Sequence, residues 1–292
     1  MRVRQVAQEE LAGIMGEDWV DNRRRPYVDG GIAYIPVKDG FSADREIADR
    51  RQYGGCGFFM LGDVAVIRGK RPSKKRINEL VSFRHPRGVL WIRSLHDQTR
   101  IPDAEVMYGE IWEIRHHENG YVYVFDPRLV MFAQGNREEK GRMAGCVMTA
   151  ERPERVADMF AGIGYFTIPM AGRGAYVHAM EINPVAFRYL QQNVLENRLS
   201  DRVQATCGDC RNLLSGIYDR IIMGHFDAIA MLGYALGHVR TGSVIHLHSL
   251  GTVTNEIRMQ VASAGFSAEI HVHKVKKYRP HTWHMVQDVV II

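Results

Sequence analysis

A short glycine turn between residues 158 and 166 constrains the fold of this chain more than any other feature of its sequence. The segment reads Asp158-Met-Phe-Ala-Gly-Ile-Gly-Tyr-Phe166, so an apolar run ends in two glycines before a helix-like run begins. A second apolar run, Ala175–Met180, ends at an acid, Glu181. A strand, a glycine turn, a helix and a strand that ends in a carboxylate are typical of a doubly wound sheet that binds an adenosine cofactor. The sequence therefore predicts such a cofactor, with Glu181 accepting hydrogen bonds from ribose hydroxyls.

Residues after about 150 alternate between strand-like and helix-like runs, which predicts a parallel sheet with helices on both faces. Asn183-Pro184 is a good start signal for a helix over Pro184–Asn197. The last two strands are expected to form an antiparallel hairpin, an ending that indicates an α/β, Rossmann-like, seven-stranded sheet of the class I S-adenosylmethionine-dependent type. The predicted strands are Arg155–Met159, Ala175–Met180, Val203–Cys207, Tyr218–Met223, Ser243–His248, Ala268–Lys276 and Met285–Ile291.

The chain is expected to divide near residue 145. Its 292 residues, 46% of them hydrophobic, provide enough apolar material for about two domains. Residues 1–145 are predicted to form a smaller α+β region without parallel-sheet rhythm, with a second division near residues 75–90. Residues 146–292 are predicted to form the cofactor-binding catalytic domain. Gly57–Arg68 and Arg87–Arg93 are predicted strands of the first region.

The net charge of +5 comes from one segment. Residues 51–100 contain 11 Lys and Arg against 3 Asp and Glu, whereas the rest of the chain is close to neutral. Six of these basic residues lie between Arg68 and Arg76, a density suited to the phosphate oxygens of a nucleic acid. The alternative is a solvated loop followed by helix-start charges. The residues assigned to nucleic-acid contact are Lys70, Arg71, Lys74, Lys75 and Arg76.

Several classes of protein are excluded by the sequence. No apolar run reaches the roughly 20 residues that span a bilayer, and the N-terminus lacks the apolar stretch of a secretory signal, so a cytoplasmic location is expected. Four cysteines are too few for a disulfide framework. Cys207-Gly-Asp-Cys210 has the spacing of a redox pair or half a zinc site, but no second pair completes it. Two histidine pairs, within 246–248 and 271–273, also lack a third ligand, and no metal is expected.

Together, the motifs of residues 95–292 resemble those of the tRNA-modifying S-adenosylmethionine enzymes that act on the purine just 3′ of the anticodon. The first ninety-odd residues match only loosely. The resemblance implies S-adenosylmethionine as the cofactor and tRNA, through its anticodon stem-loop, as the partner. The segments that carry it are Asn119-Gly-x-x-Tyr123, Asp126–Phe132, Gly135–Met143, Asp158–Phe166, Glu181–Pro184, Asn193-x-x-x-Asn197, Asp201–Val203, Gly208–Arg211, Asp219–Gly224, Lys276–Pro280 and Trp283-His284.

The resemblance also assigns roles to single residues. Asp209 should bond the adenine amino group, beside the Cys210 backbone amide. Lys140 matches a basic position that reaches the cofactor, with a solvated helix lysine as the alternative, and at Ala133 the family often has Ser. The cofactor-binding residues are expected to be Phe132, Ala133, Lys140, Asp158, Phe160, Gly162, Gly164, Glu181, Ile182, Asp209 and Cys210.

This family has two branches that transfer different groups. The guanosine methyltransferase branch carries an Asn-Leu-Pro-like motif after the fourth strand, where a carboxamide holds a base edge. This chain has Met223-Gly-His-Phe226 there, without a carboxamide. It thereby resembles the wybutosine branch, which transfers the 3-amino-3-carboxypropyl group to 4-demethylwyosine beside the anticodon of tRNA(Phe) and releases methylthioadenosine. Methyl transfer to guanosine 37 and a non-catalytic tRNA-binding module are the alternatives.

Three residues are candidates for contact with the modified base. His225 follows the fourth strand and has a side chain that titrates near neutrality, so it is the candidate general base, with an ordinary surface histidine as the alternative. Tyr165 and Phe226 are candidates to stack on a tricyclic base, although aromatic residues beside an apolar turn also pack in cores.

Overall fold

The computed structural model describes residues 1–47, 57–96 and 100–292. They fall into two compact units, Met1–Gly54 and Gly55–Ile292. The first unit contains an antiparallel sheet in the order β2-β3-β1-β4, whose buried side chains include Val3, Ala33 and Ile35. Its elements are β1 (Arg2–Ala7), α1 (Leu11–Ile14), β2 (Tyr27–Asp29), β3 (Ile32–Pro36) and β4 (Arg45–Glu46).

The second unit begins with a four-stranded sheet in the order β5-β6-β7-β8. Its elements are β5 (Phe58–Leu61), β6 (Val64–Arg68), α2 (Lys74–Arg84), β7 (Gly88–His96) and β8 (Ile101–Gly109). The single strand predicted over Gly57–Arg68 is wrong, because the chain turns at Gly62, whose φ of 55° suits glycine, and forms the β5–β6 hairpin. The expected lack of parallel pairing is also wrong, because β6 and β7 pair in parallel, with α2 as the connection between them.

A seven-stranded sheet follows, as predicted, in the order β13-β12-β11-β14-β15-β17-β16. Strands β11 to β15 are parallel, and β17 pairs antiparallel with both β15 and β16, which confirms the closing hairpin. The hairpin is longer than predicted. Before the sheet lie β9 (Ile114–Glu118), β10 (Tyr121–Phe125) and α3 (Arg137–Met148). The sheet and its helices are β11 (Arg155–Asp158), α4 (Thr167–Ala171), β12 (Tyr176–Glu181), α5 (Pro184–Glu196), β13 (Val203–Cys207), α6 (Cys210–Leu213), β14 (Arg220–Met223), α7 (Leu232–Leu236), β15 (Val244–Leu250), α8 (Thr254–Ser263), β16 (Ala268–Arg279) and β17 (Thr282–Ile291).

Asn193 of α5 and Asn197, which caps the end of that helix, fasten the β9–β10 hairpin to the large sheet. The Asn193 carboxamide accepts a hydrogen bond from the Val124 amide at 2.6 Å and donates one to the Ile163 carbonyl at 3.0 Å. One turn later, the Asn197 carboxamide accepts from the Val122 amide and donates to the Val122 carbonyl. The motif Asn193-x-x-x-Asn197 therefore satisfies backbone groups of an edge strand, because residues four apart lie on one helix face.

One hydrophobic core runs through the second unit from the small sheet to the large one. Leu90 of β7, Phe125 of β10, Met143 of α3 and Val156 of β11 belong to the same buried cluster, and a second cluster fills the opposite face of the large sheet. The predicted boundary near residue 145 lies inside α3, so the division into a tRNA-binding part and a catalytic part stays a proposal about function. In the part of the chain that the structure describes, no helix is long and apolar enough to cross a bilayer.

Candidate active site

A cavity of about 300 Å³ lies where the parallel strands β11 to β14 end. The carboxyl edge of an open α/β sheet is the usual ligand position, because loops from several strands converge there. Most of the predicted cofactor and base-contact residues meet in its wall. They are Phe132, Ala133, Phe160, Gly162, Tyr165, Glu181, Ile182, Asp209, Cys210, His225 and Phe226.

The glycine turn requires residues without side chains at two positions. Gly162 has a φ of 58° and Gly164 a φ of 101°, a left-handed region that strains other residues. A Cβ on Gly162 would lie 2.4 Å from the Tyr165 ring, and one on Gly164 would lie 2.7 Å from Ile168. Gly164 shapes the turn from behind, whereas Gly162 lines the cavity.

Glu181 lies at the end of β12 and faces this turn. Its carboxylate accepts hydrogen bonds from the backbone amides of Gly162 at 2.7 Å and Asn183 at 2.8 Å. Burial raises the pKa of this carboxyl group, and the two amides oppose that rise. Each oxygen keeps lone-pair capacity for a ribose hydroxyl.

Asp209 lies in the cavity wall at the start of α6. Its carboxylate accepts from the backbone amide of Arg211 at 2.9 Å and forms an ion pair with the Arg211 guanidinium. The pKa of Asp209 is lowered, first by that side-chain hydrogen bond, so the group is an anionic acceptor, as the assigned contact with an adenine amino group needs.

The cysteines beside Asp209 are free thiols in different surroundings. Cys207 is exposed and Cys210 is buried, and burial raises the pKa of the Cys210 thiol to about 11. A neutral buried thiol packs rather than reacts. Among the described residues, no group of three or more His, Cys, Asp and Glu side chains is placed to hold a metal ion. Cys56 lies outside the described residues.

Asp158 does not lie in the cavity wall, although it ends β11. Its side chain is fully buried and accepts a hydrogen bond from the Thr167 hydroxyl at 2.7 Å. Burial raises the pKa of Asp158 to about 6. Asp158 therefore joins β11, before the glycine turn, to helix α4, after it. Its side chain fixes the shape of the turn without contact with the cavity.

Lys140 is also placed away from the cavity wall, in contrast to the role that the resemblance implies. It is fully buried, its ammonium donates to Glu118 at 2.6 Å, and it lies 4.3 Å from the centre of the Phe132 ring. The solvated helix lysine considered as the alternative is wrong, because the side chain is fully buried. This buried ion pair ties α3 to β9, and Lys140 lies next to the rings of Phe132 and Tyr165, which line the cavity.

The opposite wall contains the residues assigned to the base. His225 stacks on Phe160 with ring centres 5.5 Å apart, and its Nδ1 accepts the Asp227 amide at 3.2 Å. Burial lowers the pKa of His225, and the charge of Arg100 adds to this effect. The Phe226 ring packs edge-on against Tyr278. Tyr165 lines the cavity too, but its hydroxyl donates to the Met131 carbonyl, which fixes the ring in packing.

Besides Arg211, which pairs with Asp209, three cations in the cavity wall escaped the sequence-based assignment. They are Arg68 from β6, Arg100 just before β8, and Lys276 from β16. Burial, Arg68, Lys140 and Arg100 lower the pKa of Lys276 to about 8. The sequence contained a signal for two of these cations: Arg68 is the first residue of the basic 68–76 segment, and Lys276 is the first residue of the Lys276–Pro280 motif. Nothing in the sequence singles out Arg100.

The remaining residues of the basic segment lie outside the cavity. Arg71, in the loop after β6, forms an ion pair with Glu105 of β8. Ser73 caps α2 by accepting from the Arg76 amide. Lys74, Lys75 and Arg76 form the exposed first turn of that helix.

A model of the TRM5/TYW2 methyltransferase domain matches residues 114–277, more than half of the chain. The chain belongs to the TRM5/TYW2 family. The matched residues run from β9 into β16 and include the glycine turn, Glu181 and Asp209. The resemblance drawn from the motifs is confirmed.

Similar proteins include members of both branches of the TRM5/TYW2 family. A Methanocaldococcus jannaschii protein named tRNA(Phe) (4-demethylwyosine(37)-C(7)) aminocarboxypropyltransferase is 33% identical over 248 residues, which cover 80% of this chain and 97% of that protein. The Pyrococcus horikoshii TYW2 structure in complex with MeSAdo is 28% identical, with a TM-score of 0.70, over 81% of this chain and 90% of that one. The Pyrococcus abyssi Trm5b structure is 25% identical, with a TM-score of 0.74, over 99% of this chain and 98% of that one.

Proposed function

We propose that this chain transfers the 3-amino-3-carboxypropyl group of S-adenosylmethionine to 4-demethylwyosine, next to the anticodon of tRNA(Phe), and releases methylthioadenosine. One observation carries the proposal. A single cavity joins the adenosine-binding features at Gly162, Glu181 and Asp209 to His225 and Phe226 after β14. Two archaeal relatives, each 33% identical to this chain, carry the name of this activity.

The residues present fit the cofactor. Gly162 brings bare backbone to the cavity wall, because the Tyr165 ring leaves no room for a Cβ there. Glu181 has acceptor capacity for ribose hydroxyls, and Asp209 is an anionic acceptor for an adenine amino group. A volume of about 300 Å³ is in the range of ligand pockets. When bound, S-adenosylmethionine supplies a sulfonium that activates the adjacent carbons toward a nucleophile.

The protein selects the transferred group by orientation, because the carbon that lies in line with the nucleophile reacts. We assign Lys276 to the carboxylate of the aminocarboxypropyl arm. Its Nζ would lie 2.4 Å from a Cβ on Gly135, so the ammonium is adjacent to the 133–136 backbone that also lines the cavity. Arg68 and Arg100 add positive charge to the same wall.

The residues after β14 favour this activity over methyl transfer to guanosine. The Met223 side chain is fully buried, and the loop residues that line the cavity are Gly224, His225, Phe226 and Asp227. None of these has a carboxamide that could hold a guanine edge. Guanosine methyl transfer is kept as the second candidate because the Pyrococcus abyssi Trm5b structure matches nearly the whole chain.

We assign tRNA binding to the exposed start of α2. Lys74, Lys75 and Arg76 fill its first turn, where positive charge is unfavourable for the helix by about 0.3–1 kcal/mol per residue. Cations at this position bind a phosphate well, because helix N-terminal amides also attract anions. We place the contact on the anticodon stem-loop, and the enzyme in the cytoplasm with its RNA substrate.

Isotope labels test the transferred group. The protein is incubated with tRNA(Phe) bearing 4-demethylwyosine and with S-adenosylmethionine labelled in either the methyl or the carboxyl carbon. Carboxyl label should enter the tRNA, and methyl label should remain in methylthioadenosine. Methyl label in the tRNA would overturn the proposal in favour of methyl transfer. Failure to bind S-adenosylmethionine in calorimetry would instead favour a non-catalytic tRNA-binding module.

A further inference from the structure

Two arginines of the cavity wall come from the small sheet rather than from the large one. Arg68 is the last residue of β6, and Arg100 directly precedes β8. Strand β7 pairs in parallel with β6 and antiparallel with β8, so the end of β6 and the start of β8 lie at the same end of the small sheet. Arg68 is exposed and Arg100 is half-buried, so a ligand in the cavity can reach both side chains.

The charges of these arginines converge with that of Lys276 at the base end of the cavity. The guanidinium carbon of Arg100 lies 5.3 Å from the centre of the Phe226 ring, which lines the same cavity. Partial burial, followed by the charge of Arg100, lowers the pKa of Arg68. After burial, the charges of Arg68, Lys140 and Arg100 lower the pKa of Lys276. Both guanidiniums stay protonated in proteins, so the wall contains cations that repel one another.

The protein supplies no counter-charge for these cations. Within residues 57–96 and 100–292, no carboxylate forms an ion pair with Arg68, Arg100 or Lys276. Three acids line the cavity, but their contacts lie elsewhere: Glu181 accepts from backbone amides, Asp209 pairs with Arg211, and the Asp227 side chain is exposed and lies 3.8 Å from His225. A concave wall with unneutralised charge of one sign attracts the opposite charge, so it indicates an anionic ligand.

The cofactor alone cannot neutralise this wall. S-adenosylmethionine has a single carboxylate, which we assign to Lys276, and its ammonium and sulfonium are themselves cations. The match to the methyltransferase domain covers residues 114–277, which contain Lys276 but neither arginine. The anion that Arg68 and Arg100 attract therefore belongs to the second substrate.

A phosphodiester is the anion that an RNA substrate brings to the cavity. A base that stacks on Phe226 has its phosphates close by, because the sugar joins them to the base, and Arg100 lies over the same ring. The planar fork of a guanidinium can donate two parallel hydrogen bonds to phosphate oxygens. Two arginines match the two phosphates that flank an internal nucleotide.

Resting on the proposed function, we propose that Arg68 and Arg100 bind the two phosphates that flank the modified nucleotide and thereby hold its base in the cavity. Phosphate contacts fix the position of a nucleic acid without reading its bases. The arginines therefore position the nucleotide, whereas the residues after β14 contact its base. This contact is separate from the one assigned to the start of α2, which lies outside the cavity.

The test begins with Arg68→Gln and Arg100→Gln. Each variant should bind tRNA(Phe) bearing 4-demethylwyosine about 10-fold more weakly, the effect of losing one hydrogen bond to a charged group. The slope of log K against log salt should decrease by about 0.7–0.9 per lost contact. Calorimetric affinity for S-adenosylmethionine should stay unchanged. Arg93→Gln is the matched control, because the Arg93 guanidinium of the same sheet already pairs with Asp103.

Changes in the RNA decide whether the arginines contact these two phosphates. The tRNA is assembled with a neutral methylphosphonate in place of one or the other flanking phosphate. Each replacement should weaken binding to the unmodified protein about 10-fold. It should have no further effect on the variant that lacks the partner arginine, because that contact is already lost. Losses that add in every combination of variant and RNA would overturn the proposal, as would a loss of S-adenosylmethionine affinity in either arginine variant.

Lysine substitutions provide a second set of variants if a glutamine variant fails to fold. Arg68→Lys and Arg100→Lys keep the charge but lose the fork, so they should keep the salt slope and lose part of the affinity. Their sensitivity to methylphosphonate should persist, and its absence would contradict the contact. Failure of the proposed function is distinguishable, because the isotope labels follow transfer by the unmodified protein, whereas the methylphosphonate series measures RNA binding alone.

Discussion

The carboxylate of Glu181 accepts a hydrogen bond from the backbone amide of Gly162, with 2.7 Å between oxygen and nitrogen. Its second oxygen accepts from the Asn183 amide at 2.8 Å, so one side chain joins the end of β12 to the glycine turn and to the cap of α5. Glu181 also lines the cavity. Cofactor affinity and the shape of the turn therefore depend on one group.

Substitution of Glu181 should separate these two contributions. Glu181→Ala is expected to weaken S-adenosylmethionine binding at least about 10-fold, because hydrogen bonds to charged groups contribute about 1.5–3 kcal/mol. It should also lower the melting temperature by a few degrees, since two amides lose their acceptor. Titration and scanning calorimetry measure both effects. Glu196→Ala, on the far end of α5, is the control, and unchanged cofactor affinity in Glu181→Ala would remove the assigned role.

The start of α2 yields a prediction in which stability and binding change in opposite directions. Lys74→Ala combined with Lys75→Ala removes two cations from a helix N-terminus, so the melting temperature should stay constant or rise. Affinity for tRNA should fall, and the slope of log K against log salt should decrease by about 0.7–0.9 per lost phosphate contact. Filter binding at several salt concentrations measures this slope. The paired residue Arg71 should contribute less, because Glu105 already neutralises it. Salt-independent tRNA binding by the double variant and the unmodified protein alike would contradict the assignment.

The adenosine half of the site was predictable because it depends on local sequence. Two glycines, a strand-end acid and Asp209 each follow a strand, and the carboxyl ends of parallel strands meet at one edge. The position of Lys140 was not predictable, because its partner Glu118 belongs to a separate hairpin, 22 residues earlier in the chain. The cations Arg68 and Arg100 come from a different sheet, and no local pattern encodes that approach.

The fold likewise has parts that local sequence predicts and parts that depend on contacts between distant segments. The seven strands and their closing hairpin follow from periodicity, with errors of a few residues at the ends. The β5–β6 hairpin was missed because Val64–Arg68 continues the apolar run of Phe58–Leu61, and only Gly62-Asp63 interrupts it. His248 and His284 lie 36 residues apart in sequence. They come within hydrogen-bond distance only through the register between β15 and β17, which no local pattern predicts.

Lys276 should recognise the arm of the cofactor rather than its adenosine. Lys276→Met is expected to weaken S-adenosylmethionine binding by about 10-fold, the effect of losing one charge-assisted hydrogen bond, and to leave methylthioadenosine, which lacks the arm, bound as before. Because the pKa of Lys276 is lowered to about 8, binding of S-adenosylmethionine to the unmodified protein should weaken as the pH rises through 8. That dependence should vanish in the variant. Titration calorimetry between pH 6.5 and 9.5 measures it, with exposed Lys274→Met as the control. Equal losses of affinity for S-adenosylmethionine and methylthioadenosine would show that Lys276 does not recognise the arm.

Asp158 should make stability depend on pH in a direction opposite to that of most carboxylates. Its folded-state pKa is raised by burial to about 6, above the ordinary value of 3.8. The folded protein therefore binds more protons than the unfolded chain between these values, so this contribution is complete below about pH 4 and is lost as the pH rises through 6. A shift of about two units corresponds to at most about 3 kcal/mol.

Asp158→Asn tests this dependence, because an asparagine keeps an acceptor for the Thr167 hydroxyl and has no proton to lose. The free energy of unfolding of the variant relative to the unmodified protein should increase by about 2 kcal/mol between pH 4.5 and 7.5. Urea unfolding at several pH values measures the difference. Asp201→Asn, at an exposed carboxylate, should follow the unmodified protein throughout. If the Asp158→Asn curve ran parallel to that of the unmodified protein, the buried carboxyl group would have no raised pKa, and its role behind the turn would be packing alone.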